Sequence, residues 1–234
     1  MKSTRLYLPQ SGIRTPAGQA GFTLVEIAIV LVIIGLLLGG ILKGQEMITQ
    51  AKIKNVVNDF NGITAAVNSY QDRYRALPGD DLNANPRWAA APAPVAGTNG
   101  NGQIAGTYNN PLAVVATAAN ESNLFWWHLR LAGFVAGATT GIAAGQQPSN
   151  AANGIMGVQG TGMGFSSNII CSSNLPDKIA IAVDTQMDDG TNNTGQVRGG
   201  RQTEPNPPTL DVEAVSGQAY AETGTNQYLL CKNL

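Results

Sequence analysis

The chain has 234 residues, enough for one domain with attachments or for two small ones. Its 14 Lys and Arg against 15 Asp and Glu leave a formal net charge of −1, which excludes a polybasic surface built to hold nucleic-acid phosphates. Charged residues make up 12% and apolar residues 43%, which excludes a highly charged disordered chain, and a single His with two Cys excludes a Cys/His zinc cluster.

The charge is unevenly placed. Residues 1–21 hold Lys2, Arg5 and Arg14 and no acid, while the remainder carries an excess of acidic groups. Residues 22–42, FTLVEIAIVLVIIGLLLGGIL, then contain one charged side chain, Glu26. As a helix this stretch is about 32 Å long, the thickness of a bilayer core. A basic segment before an apolar one keeps the amino terminus cytoplasmic and sends the C-terminal remainder across the membrane. The apolar run exceeds the h-region of an ordinary secretory signal, and no small-x-small cleavage site comes after it.

The junction between the two segments reads Gly21-Phe22-Thr23-Leu24-Val25-Glu26. GFTLVE before about twenty apolar residues resembles the processing site of type IV pilins and type II secretion pseudopilins. The resemblance covers some 30 residues closely. It implies cleavage by a prepilin peptidase between Gly21 and Phe22, N-methylation of Phe22, and membrane lipid as the surroundings before assembly. It also implies that Glu26 meets the free amino terminus of a neighbouring subunit. A carboxylate inside a membrane helix is costly and invites a functional reading, although Glu26 lies close enough to the end to reach the headgroups.

Beyond residue 42 the apolar positions Ile53, Val56, Val57, Phe60, Ile63, Val67, Tyr70 and Tyr74 recur at intervals of three and four. They make an amphipathic stripe with one face for a globular head. Pro78 disfavours helix at Leu77, so the helix is expected to end near Ala76. The expected organisation is therefore a leader at 1–21, a transmembrane half-helix at 22–42, an amphipathic half at 43–76 and a periplasmic or extracellular head at 77–234. Residues 22–76 would form one helix of about 80 Å. Many family members carry a proline about a third of the way along this helix. Here the corresponding stretch has Gly39, Gly40 and Gly44 instead, which lower helix propensity by about 1 kcal/mol each and so permit local melting without a proline.

The fold class implied is α+β and pilin-like, with the long helix packed on a small loop-rich head that carries a short antiparallel sheet. Asp80 and Asp81 are expected in a turn after Pro78-Gly79, and LPGD at the helix end resembles a group of uncharacterised pilin-like proteins. Residues 86–120, rich in Ala, Pro, Gly and Asn, read as a loop-dominated excursion. A short helix is expected at 124–132, capped by residues from 120–123 and closed by Gly133. Trp126, Trp127 and Phe134 are the expected core anchors, and His128 reads as a surface or capping residue. GIMGVQGTGMG at 154–164 and GTNGNGQIAG at 97–106 lack the GK[ST] of a phosphate loop and read as flexible turns. Residues 169–171 and 228–231 read as strands. Residues 178–187 fit two readings: Ile179, Ile181 and Val183 alternate like a strand, while Ile179, Val183 and Met187 are spaced like a helix face, and the Pro176-Asp177 start favours helix. Residues 203–209 read as an extended loop.

In an exported head, Cys171 and Cys231 are most simply one disulfide, as the resemblance to pilins with a C-terminal disulfide-bounded region also implies. Asp184, Asp188 and Asp189 could gather hard oxygen ligands for calcium, or form a solvated acidic turn; the spacing is not that of an EF-hand loop. No other cofactor is expected, and no Ser/His/Asp or Cys/His arrangement points to an enzyme. The expected role is a structural subunit of a type IV pilus-like or type II secretion pseudopilus filament. Its partners would be other pilin subunits, the prepilin peptidase and methylase, an inner-membrane platform protein and an assembly ATPase. The alternative is a low-copy minor pilin whose head binds DNA, a surface or a secreted substrate.

Overall fold

The structure is a computed structural model that describes residues 21–88, 100–111, 120–208 and 219–234. It divides into two units at Gln45/Glu46. One uninterrupted helix, α1 (Leu24–Tyr74), runs through the division. From Leu24 to Leu42 its side chains are exposed and, Glu26 apart, apolar on all sides, and this part is long and apolar enough to cross a membrane.

In the second unit α1 is one-faced. Ile53, Val56, Phe60, Ile63, Ala66, Val67 and Tyr70 are buried, which is the stripe expected from the spacing. The helix stops two residues before the expected Ala76 because Arg75 takes a left-handed conformation, with φ 54°. Its N–H still donates to the Gln71 carbonyl at 2.8 Å, and Leu77 then packs on the core. After a single short turn, α2 (Ala84–Arg87), the next α-helix among the described residues is α3 (Glu121–Leu131).

Helix α3 begins three residues earlier than expected. The Asn120 carbonyl accepts the N–H groups of Asn123 and Leu124, but its side chain makes no cap. Residues 121–123, expected as caps, are instead buried helix. Glu121 accepts the Ala105 N–H at 2.7 Å, and Asn123 bonds Asn110 and the Gly145 carbonyl. Trp126 and Trp127 are buried and Phe134 packs on the same core as Trp126, as expected. Gly133, at φ 80°, ends the helix.

The head contains a four-stranded antiparallel sheet in the order β1-β2-β4-β3. Its strands are β1 (Met156–Gln159), β2 (Ile169–Pro176), β3 (Val197–Arg201) and β4 (Gln227–Asn233). A further helix, α4 (Asp177–Met187), comes directly after β2, in the place expected for it. Met156, Val158, Ile170, Leu175, Val197, Tyr228 and Leu230 bury against the α1 stripe, Trp126 and the α4 residues Ile179 and Val183.

Two glycine-rich segments differ from the flexible turns expected of them. Residues 156–159 form a fully buried strand. Gly157 lies against the Tyr108 carbonyl and Gly154 against the Ser173 carbonyl, so close that a Cβ would collide with either. These glycines permit close backbone approach rather than motion. Residues 100–106 are held in place as well: Gly100 and Gly102 donate their N–H groups to the two oxygens of Asp80, each at 2.7 Å. Residues 97–99 lie outside the described residues. The excursion expected at 86–120 likewise contributes Ile104 and Tyr108 to the core.

Cys171 and Cys231 are direct partners across β2 and β4 and are joined by a disulfide. The bridge closes a loop with a sequence separation of 60. Replacing both cysteines by alanine should cost about 4 kcal/mol on the chain-entropy model. Thermal unfolding of the full chain in detergent micelles, with and without reductant, measures this. The expected result is a midpoint shift in wild type on reduction that the double variant does not show.

Candidate functional site

The expected processing and assembly residues lie at the start of α1. Gly21, Phe22 and Thr23 are outside the helix, and the Phe22 side chain is 82% exposed. The helix begins at Leu24 rather than at the expected Phe22 because Thr23 caps it. The Thr23 hydroxyl accepts the Glu26 N–H at 3.2 Å, while the Thr23 N–H and hydroxyl both donate to Glu26 Oε2 at 2.8 Å. This reciprocal pair is a capping box, and its signal, Thr-x-x-Glu, stands in the sequence.

The box sets the chemistry of this end. A carboxylate in the first helical turn faces the unsatisfied N–H groups and the positive end of the helix dipole. Its charge is thus partly compensated before any other partner arrives. The bond between Gly21 and Phe22 sits in non-helical backbone just ahead of the cap. Among the described residues, no atom stands within 4 Å of the space where a Gly21 Cβ would be. Gly35, Gly39, Gly40 and Gly44 lie inside the continuous helix, likewise with nothing within 4 Å.

Residues 16–42 match the prokaryotic N-terminal methylation motif. The motif supports a likeness to type IV pilin and pseudopilin proteins over these residues. No curated protein and no solved structure matches the chain. The match takes in Gly21, Phe22, Thr23, Glu26 and the apolar stretch as far as Leu42, and so includes both halves of the capping box. The motif and the apolar helix together support insertion of this end of the chain in a membrane.

Within the head, Asp184, Asp188 and Asp189 do come together, with one carboxylate oxygen of each within 4.8 Å of the others. Each also has protein donors. Asp184 accepts the Tyr220 hydroxyl and the Gly190 N–H; Asp188 accepts the N–H groups of Gln196 and Val197; Asp189 accepts the Thr191 N–H and the Thr194 hydroxyl. The carboxylates therefore already organise the turn between α4 and β3. Burial pushes the Asp184 carboxyl up to about 6, with the neighbouring Asp189 and Asp188 charges adding to it.

A second polar cluster has no signal in the sequence. Asp81, expected in a turn, is buried; it accepts the Tyr70 hydroxyl at 2.7 Å and a guanidinium N–H of Arg87 at 2.5 Å. Burial alone would raise its carboxyl, but the bonds from Arg87 and Tyr70 outweigh that and hold it below the ordinary carboxylate range. The Arg87 guanidinium lies over the Tyr74 ring, 4.2 Å from its centroid, and near Trp88. His128 is not the surface or capping residue expected; it is fully buried, stacked on Tyr70, and its Nδ1 accepts the Gly79 N–H at 3.0 Å. Burial pushes its pKa down to about 4. The cluster fastens the segment after α1 to the end of α1 and to α3.

Asp184 and His128, both buried, pull in opposite directions with pH. Folded Asp184 gains its proton near 6, the unfolded chain only near 3.8, so acidification through this window adds stability. Folded His128 resists protonation until about 4, the unfolded chain only until 6.5, so the same acidification removes stability. Between pH 7 and pH 4.5 wild type should change little. Asp184→Asn should lose thermal stability on acidification, and His128→Asn should gain it. Circular-dichroism melts of the full chain in detergent at both pH values check the two signs.

Proposed function

We propose that this chain is a structural subunit of a type IV pilus-like or pseudopilus filament. It is made as a membrane-inserted precursor, cut after Gly21, N-methylated at Phe22 and polymerised through α1. The observation that carries this reading is the N-terminal methylation motif seated on an apolar helix, with a separately folded unit from Glu46 on. The basic leader supports an orientation with the amino terminus cytoplasmic and the head periplasmic. A prepilin peptidase and methylase, a platform protein and an assembly ATPase are the partners this reading requires.

Glu26 has two roles here. In the separate chain it closes the capping box; in the filament it meets the methylated Phe22 amine of the next copy, because either charge alone among apolar helices is costly. The exchange leaves the helix capped because the Thr23 hydroxyl oxygen still accepts the Glu26 N–H when the carboxylate turns to another partner.

Intact mass and amino-terminal sequencing of the protein from peptidase-competent cells should give a chain that begins with methylated Phe22. Recovery of the full-length chain alone would refute the proposal. Gly21→Leu should leave the precursor in the membrane.

Three variants then separate the two roles of Glu26. Thr23→Ala removes one half of the box and keeps the charge, so processed protein should still enter filaments. Glu26→Gln keeps a hydrogen-bond acceptor and loses the charge, and Glu26→Val loses both. Both Glu26 variants should insert and be cleaved yet be absent from sheared filaments. Filament incorporation of Glu26→Val at the wild-type level would show that this carboxylate does not act in assembly.

A further inference from the structure

On the head-forming part of α1, Asp59 is partly buried at the edge of a pocket of about 260 Å³, walled by Gly62, Ile63, Trp126, Phe134 and Met156. The wall is largely apolar, and Gly62 leaves open space where a side chain would stand. Asp59 has no hydrogen-bond or ionic partner among the described residues. Its helix neighbours three and four positions away are Asn55, Val56, Gly62 and Ile63, none of them charged. A carboxylate set in apolar walls without a counter-charge is incomplete within this chain.

The same helix carries an exposed cation, Lys54, which also has no partner among the described residues. Five residues separate Lys54 from Asp59, about 7.5 Å along the axis and about 140° around it. They cannot meet within one helix, but they face nearly opposite sides. A head-to-tail contact between identical copies can join such a pair, since one side of each copy can meet the other side of the next. Lys52, seven residues from Asp59, is a further two residues away along the axis.

The axial offset agrees. If the Phe22 amine of one copy meets Glu26 of the next, the copies are displaced by about four residues, or about 6 Å. Identical copies related by one translation carry the same displacement at every residue. Lys54 of the first copy then stands level with residue 58 of the second, one position from Asp59. In both pairs the cation belongs to the same copy.

We propose that the Asp59 pocket receives Lys54 of a second copy, with the ammonium on the carboxylate and the aliphatic stem along the apolar wall. The contact rests on the filament reading and adds a second pairing to the one at Glu26.

Cysteine pairs in the full chain test it. In filaments, Lys54→Cys/Asp59→Cys should form a ladder of disulfide-linked multimers on mild oxidation, and neither single variant should. Wild-type filaments measured in parallel keep the two ideas separate: without them the filament reading fails, and with them an unlinked double variant overturns the Lys54 contact. A ladder from Lys52→Cys/Asp59→Cys in place of the Lys54 pair would also overturn it. The charge reversals Lys54→Asp and Asp59→Lys should each lower filament yield roughly tenfold, and the double reversal should restore most of it. Yields unchanged by both single reversals would refute the pairing.

Discussion

One helix has to satisfy two surroundings. As far as Leu42 it offers apolar side chains in every direction, with Glu26 at the cap, which suits hydrocarbon. Its second half offers a single apolar stripe, which suits a sheet on one side and water on the other. Nothing in the backbone marks the change, because the hydrogen-bond ladder of α1 runs straight through it. The switch is made by side-chain pattern alone, and the position of the head along the chain is set by where the stripe begins.

The head is assembled in a manner suited to its low charge content. Buried or partly buried polar side chains hold loop backbone: Asp80 on Gly100 and Gly102, Glu121 on Ala105, Asn150 on Ala152 and Gly154, Asp177 on Thr223 and Gly224. Each such carboxylate or amide replaces the water that loop N–H groups would otherwise need. Long irregular segments thereby become as fixed as the strands between them.

The same construction decides which parts of the structure are legible in the sequence. The α1 stripe, the aromatic anchors Trp126 and Trp127, α4, and the strands around Cys171 and Cys231 all announce themselves by apolar period or by turn residues at their ends. Strand β3 does not, since VRGGR has one apolar residue and two glycines; Gly199 is there so that Tyr220 and Leu230 can lie against it. Gly157 hides strand β1 for the same reason. The buried state of Asp81 and His128 depends on partners at Arg87, Tyr70 and Gly79 that only the fold brings together. At the N-terminal site the residues themselves are legible. The reciprocal bond between Thr23 and Glu26 is harder to see, because its four-residue signal is embedded in the processing motif and the glutamate already has a role there.

The disulfide also governs how the head bears load. Cys171 and Cys231 sit opposite each other in the two central strands, and three residues come after Cys231 in the sequence. With that bond in place β4 can neither slide along β2 nor peel from it, and α4 and β3 lie inside a closed covalent ring. Contacts outside the ring, such as those of β1 and the segments before it, have no covalent link of this kind, so opening there leaves the pairing of β2 with β4 in register.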